Sequence, residues 1–184
     1  MNAVRHLAGV LALLVALVLQ HSLFGAFAWD GVVPDLVLLV VVAAGLARGG
    51  QTGVVLGFVG GMLLDLAPPA DHSAGRWALA LMLVGYIAGR VRATDAGVPR
   101  GEDGRPTAVA AMATVAACSF VGTSVFALTG VVLGWIGSGD GGVGFGEMLR
   151  VIAMSLVWDV LLAPLVIPVV IAMFARLERE RVRA

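Results

Sequence analysis

Charge is what this sequence has least of. Asp, Glu, Lys and Arg together make up 13% of its 184 residues, against 60% apolar residues and a mean hydropathy of +1.00. Soluble domains carry about 25% charged residues, and a water-facing surface this poor in charge would leave large apolar patches open. Water is thereby excluded as the solvent of most of the chain, and lipid is the alternative. Cysteine occurs once, at Cys118 inside an apolar run, which excludes a disulfide framework or a cysteine metal cluster. Lysine is absent: all twelve basic residues are arginine. A Gly-x-Ser-x-Gly elbow, a phosphate loop and a His-Glu-x-x-His pair are all missing, and no loop is long enough to house a catalytic domain. An enzyme is therefore not expected. Neither is a cofactor, a metal or, at zero formal net charge, a nucleic-acid partner.

What the chain does have is apolar runs. About 20 apolar residues cross the hydrocarbon core as a helix, fewer where neighbours bury the ends. Candidate spans cover approximately 6–28, 33–47, 52–66, 77–91, 107–136 and 147–175, within a single integral membrane domain of residues 1–184. The first resembles a signal peptide, with Arg5 before the apolar stretch and small residues at Gly25-Ala26. Later segments are equally hydrophobic, so it reads as an uncleaved span. Spans two to four are short. Either they are buried among the others, or spans two and three form a hairpin that enters and leaves from one face.

Arginine sets the orientation. With the N-terminus inside, Arg5, Arg48, Arg90, Arg92, Arg100, Arg105, Arg176, Arg179, Arg181 and Arg183 are cytoplasmic, and Arg76 and Arg150 alone are outside. The expected fold is therefore an all-α bundle of six transmembrane helices with both ends in the cytoplasm. Five crossings would place an arginine-rich end outside. The connections are tight at Trp29-Asp30-Gly31, turn-like around Pro68, Asp71 and His72, polar between 92 and 106, and glycine-rich from 137 to 146.

Ionisable groups inside lipid are costly and are functional candidates by default. Asp35 follows Pro34 at the start of span two, where it either caps the helix or acts chemically. Asp65 ends span three and either reaches the interface or serves a site. Asp159 lies deep in span six. Arg150, nine residues away, is roughly 13 Å distant along the helix, too far for a direct pair. Asp159 needs a partner from another span, a hydroxyl such as Ser155, or a proton, and it reads either as a polar clamp between helices or as a proton relay. His6 and His21 in span one read as interfacial or hydrogen-bonded.

Small residues recur at helical spacing: Gly53, Gly57 and Gly61 with Gly60 alongside, then Gly85 and Gly89, and Gly130 and Gly134. Helices in lipid gain no hydrophobic effect by associating and pack through close backbone approach. These seams either hold the bundle together or receive a partner's helix. Pro164 and Pro168 in span six each remove a backbone donor and free a carbonyl one turn earlier, shaping the bundle or opening a groove.

The order of these features resembles the MreD family of bacterial rod shape-determining membrane proteins. The likeness is carried by Pro34-Asp35-Leu36-Val37-Leu38-Leu39, by GVVLGFVGGMLLD from Gly53 to Asp65, by Leu83-Val84-Gly85-Tyr86-Ile87-Ala88-Gly89, and by Leu162-Ala163-Pro164-Leu165-Val166-Ile167-Pro168. The chain departs from the family after Asp65, where a Ser-x-x-x-Leu-Gly turn is usual, and at Asp159, where family members often have a polar residue such as asparagine. The resemblance implies the fold of the substrate-binding subunits of energy-coupling-factor transporters. It also implies a scaffold of the lateral cell-wall elongation machinery in the cytoplasmic membrane. The implied partners are the bitopic protein MreC and, through it, MreB, RodA and a class B penicillin-binding transpeptidase. The arginine-rich tail would touch anionic lipid or cytoplasmic partners. A small-molecule-binding transporter subunit is the rival reading, with Asp65, Asp71, His72, Arg76 and Arg150 near the outer side. A proton-coupled carrier using Asp159 is a third.

Overall fold

The computed structural model describes residues 2–22, 32–68, 73–93, 101, 106–137 and 144–183, the side chains of 2–6, 145 and 177–183 aside. The turn at Trp29-Asp30-Gly31, loop residues Asp71 and His72, the side chain of His6, most of the polar loop before Thr107 and the middle of the glycine-rich linker lie outside these residues. Those described form six helices and no strand: α1 (Asn2–Ser22), α2 (Leu36–Arg48), α3 (Gly50–Leu66), α4 (Arg76–Ala93), α5 (Ala108–Trp135) and α6 (Phe145–Arg183). α2 to α5 lie within three residues of the expected spans; α1 begins earlier, at Asn2, with residues 23–28 of the expected first span outside those described, and α6 continues to Arg183 where the apolar run ends near 175. Two segments, Ala108–Trp135 and Gly146–Arg176, are long and apolar enough to cross a membrane; the apolar parts of α1, α2 and α3 are shorter.

The shortest helix sits at the centre. Every residue of α2 from Leu36 to Leu46 is buried. A helix that is hydrophobic all round has no face to present to water and belongs inside. Accordingly, α2 touches each of the other five helices.

Chain-neighbouring helices run antiparallel. Gly53 lies against Gly85, Gly57 against Leu81 and Gly61 against Ala78 across α3 and α4. The Cys118 thiol lies 3.8 Å from the Val84 carbonyl oxygen between α5 and α4, and Ser119 meets Asp159 between α5 and α6. As a result α2 and α6 are parallel, with Asp35 beside Asp159 at one end and Arg48 over the Phe174 ring at the other, 5.7 Å from its centroid.

Close approach of α3 and α4 is the main packing device. A Cβ added at Gly53, Gly57, Gly61, Gly85 or Gly89 would overlap backbone atoms of the opposing helix. Backbone, unlike a side-chain tip, cannot swing aside, so glycine is required at these five positions by the distance between helices. On another face of α3, Gly60 admits Leu13 of α1 and Val37 of α2. The α2–α3 turn pivots on Gly49, whose φ of 92° lies in the left-handed region that glycine alone enters freely.

Gly57→Ala and Gly85→Ala are each expected to destabilise the folded protein by about 1–3 kcal/mol, the usual cost of overpacking. Gly144→Ala, where an added Cβ meets nothing within 4 Å, should change stability by less than about 0.5 kcal/mol. Thermal unfolding in mild detergent checks this ranking, and equal melting temperatures for all three would contradict the seam.

Candidate docking groove and buried carboxylates

Because α2 begins inside the bundle, its first amide groups have no water to bond. Side chains from two neighbouring helices and its own cap supply the acceptors. Asp35, the N-cap residue, accepts from Leu38 N–H at 2.9 Å through Oδ1. The Asp35 amide donates to Oδ1 of Asp159 on α6 at 2.9 Å, and the Val37 amide donates to Oε1 of Gln20 on α1 over a longer 3.4 Å. The second oxygen of Asp159 accepts from the Ser119 hydroxyl of α5 at 2.6 Å. Asp159, fully buried, therefore joins α2, α5 and α6 at one point. The hydroxyl that reaches it is Ser119, not Ser155. Oδ2 of Asp35 is buried with no hydrogen-bond partner among the described residues.

Asp65 does for α4 what Asp35 does for α2, but from a different helix. Its carboxylate accepts from the amides of Gly75 (2.8 Å), Trp77 (3.1 Å) and Ala78 (3.1 Å). Gly75 occupies the cap position of α4 and has no side chain with which to cap, so the preceding helix provides the acceptor. A negative group beside the positive end of a helix dipole adds to the hydrogen bonds. Asp65 is 2% exposed and does not reach a solvent or lipid surface.

Asp35 and Asp159 thus come together, Asp65 caps a separate helix, and Gly53, Gly57, Gly61, Gly85 and Gly89 face one another in the α3–α4 seam. Pro164 and Pro168 lie elsewhere, on the exposed side of α6. The carbonyl of Val160 faces Pro164 and that of Pro164 faces Pro168, so neither has an amide donor four residues on. Sequence reasoning missed Gln20 and Ser119. The signal available was their polarity within otherwise apolar helices, which in lipid asks for a partner. Arg150 pairs with Glu147 at 3.6 Å, both well exposed, and His21 Nδ1 lies 3.1 Å from the Leu17 carbonyl oxygen.

Beside the carboxylate cluster runs a wholly apolar groove. The first and last helices barely touch, and the space between them has α2 as its floor. Leu11, Val15 and Leu19 of α1 form one wall, Leu165, Val169 and Met173 of α6 the other, and Leu36 and Val40 the base, enclosing about 410 Å³. Its rims are strongly exposed: Leu11 60%, Leu165 67% and Val169 64%. In water such a surface would be a liability, and in lipid it is a place for another apolar body.

Asp159→Ala removes the acceptor of two buried donors and is expected to destabilise the protein by about 2–4 kcal/mol, whereas Asp159→Asn keeps an acceptor for the Asp35 amide and an amide for the Ser119 oxygen, losing about 1 kcal/mol. Asp65→Ala should resemble Asp159→Ala. Detergent melting curves read the order, and an Asp159→Ala protein as stable as Asp159→Asn would show that the cluster holds nothing.

Neither a curated protein nor a solved structure matches the chain. A family model does. The family described as rod shape-determining protein MreD matches residues 2–95, just over half of the chain and the whole of α1 to α4, including the α3–α4 seam, Asp35 and Asp65. The chain therefore belongs to the MreD family of rod shape-determining membrane proteins.

Proposed function

We propose that the protein is a non-enzymatic scaffold of the cell-wall elongation machinery. In this reading it crosses the bacterial cytoplasmic membrane six times and seats the transmembrane helix of an MreC-like partner in the α1–α6 groove. MreB, RodA and a class B penicillin-binding transpeptidase are then reached through that partner.

Polarity supports the membrane reading, because it is arranged the opposite way from a soluble protein. Gln20, Asp35, Asp65, Thr114, Ser119, Thr123, Ser155 and Asp159 are buried, while leucines, valines and phenylalanines cover the outside. The alternating directions of the described helices support six crossings, and the arginine count of the sequence, ten to two under that topology, supports both ends in the cytoplasm. The short α2 is accommodated because other helices enclose it and bury it from Leu36 to Leu46. We assign the bundle the fold of energy-coupling-factor substrate-binding subunits on this arrangement and on the family.

The groove carries the partner reading. With no hydrophobic effect to drive association in lipid, helices associate where shapes allow many van der Waals contacts. The trough between α1 and α6 offers two walls and a floor to one guest helix. The glycines of the α3–α4 seam are already filled by the protein's own backbone and offer no such place.

Single cysteines at Val15 and Val169 should cross-link to the partner's transmembrane helix in native membranes. Cysteines at Phe58 and Phe120, exposed on α3 and α5, should not. The native Cys118 is buried and contributes little background. Cross-links from Phe120 with none from the groove would overturn the assignment. Tags at Met1 and Ala184 are expected to be protected from protease added outside intact cells, and digestion of either would remove the six-span arrangement.

A further inference from the structure

Asp35 and Asp159 bring two carboxylates to one point of the interior, and among the described residues no basic side chain interacts with either. Asp35 is 6% exposed and Asp159 fully buried. All their hydrogen bonds come from neutral donors. The Leu38 amide bonds Oδ1 of Asp35, the Asp35 amide bonds Oδ1 of Asp159, and the Ser119 hydroxyl bonds Oδ2 of Asp159. The remaining oxygen, Oδ2 of Asp35, is buried without a partner.

The charged groups of the surrounding helices are engaged elsewhere. On α1, His21 is exposed and lies against the Leu17 carbonyl, while its neighbour Gln20 faces the start of α2. α5 has no charged residue along its length. On α6, Glu147 and Arg150 pair with each other, nine or more residues before Asp159. Asp65 of α3 caps α4, Arg76 of α4 bonds the Phe126 carbonyl, and Arg48, at the other end of α2, lies over Phe174. The first turn of α2 supplies about half a positive charge through its dipole, which offsets only a fraction of two carboxylates. Buried charge left uncompensated is costly, and more so inside lipid.

We propose that the start of α2 is a site for one alkali-metal cation, of which sodium is the probe, held between Asp35 and Asp159. Oδ2 of Asp35 gives the cation an oxygen that has no other use, and Asp159 gives it the second carboxylate. Oε1 of Gln20, held only by a 3.4 Å bond to the Val37 amide, is a neutral third ligand within the same cluster. Hard cations take oxygen ligands of these kinds. Calcium needs about six to eight oxygens, more than are gathered here, and magnesium keeps several waters. A proton on Oδ2 would create a new buried donor in need of an acceptor of its own. The site is independent of what the α1–α6 groove receives.

The test follows thermal unfolding of the full chain in mild detergent as sodium replaces choline at constant ionic strength. For a site half-filled at about 10 mM, the folding equilibrium moves about tenfold towards the native state between about 1 mM and about 100 mM sodium. Asp35→Asn keeps an Oδ1 acceptor for the Leu38 amide but removes the charge, and its unfolding should not respond to the exchange. Glu147→Gln, which removes an exposed carboxylate, should retain the whole shift. Identical unfolding in sodium and choline overturns the proposal, as does a shift that folded Asp35→Asn retains. Should Asp35→Asn not fold, equilibrium dialysis of the unsubstituted protein against radioactive sodium decides, and absence of uptake overturns the site. Stabilisation by acid with no response to sodium gives the charge to a proton and overturns it equally. Groove cross-linking is a separate measurement, and its outcome leaves the sodium response unchanged.

Discussion

A helix that starts inside a protein has to find acceptors for its first amides there, and the rest of this bundle is arranged around that requirement at α2. The low-dielectric interior offers no water, and each unpaired backbone group costs several kcal/mol. The solution draws on Gln20, Asp35 and Asp159 at once, and these residues come from three different helices. Once Asp159 is tied to the Asp35 amide and to Ser119, the rise of α2, α5 and α6 relative to one another is set. The carboxylate is better understood as part of the backbone's hydrogen bonding than as a reagent. A carrier's carboxyl group has to exchange its proton with each side of the membrane in turn, whereas both oxygens of Asp159 are engaged in ties that hold three helices.

The opposite side of α2 is organised by shape. Glycines remove side chains from the α3–α4 interface until backbone meets backbone, and Asp65 closes one end of the same pair by capping α4 from α3. Gly45 extends the close contact to α2, where an added Cβ would lie 2.8 Å from the Ala88 side chain. Helices α2, α3 and α4 thus form a tight unit fixed by both hydrogen bonds and contact. α1 and α6 lack such a seam and barely touch each other, each packing mainly on α2, which is why the groove lies between them. Where the bundle is least well packed against itself, it has the most room for another helix.

Much of the scaffold was legible in the sequence. Six apolar runs became six helices, Pro34-Asp35 marked the start of α2, and the four-residue glycine spacing marked the face of α3 that approaches another helix. The partners were not legible. Asp159 plainly needed one, but its donors lie on α2 and α5, 124 and 40 residues away, and periodicity along one helix says nothing about distance across a bundle. Asp65 looked like a residue reaching towards the interface because nothing local reveals that the next helix begins with a glycine unable to cap itself. The groove was invisible for a different reason. Leucines and valines facing lipid and those facing a trough are the same residues at the same spacing, and only the sparse contact between α1 and α6 separates them.

In the proposed role of a membrane scaffold, the protein must offer a partner more than apolar surface, since the acyl chains around it offer that already. It gains selectivity from concavity, which a rigid frame can hold open and a fluid bilayer cannot. The hydrogen bonds of Asp159 and the glycine seam supply the rigidity, fixing α2 as a floor beneath two walls that do not collapse onto each other. Weakening the carboxylate cluster would therefore be felt at the groove through the position of Leu36, which is bonded directly to Asp35 in the chain and forms part of the groove's base. The buried polar residues and the exposed apolar ones are thus two halves of one device, the first holding the shape that the second presents.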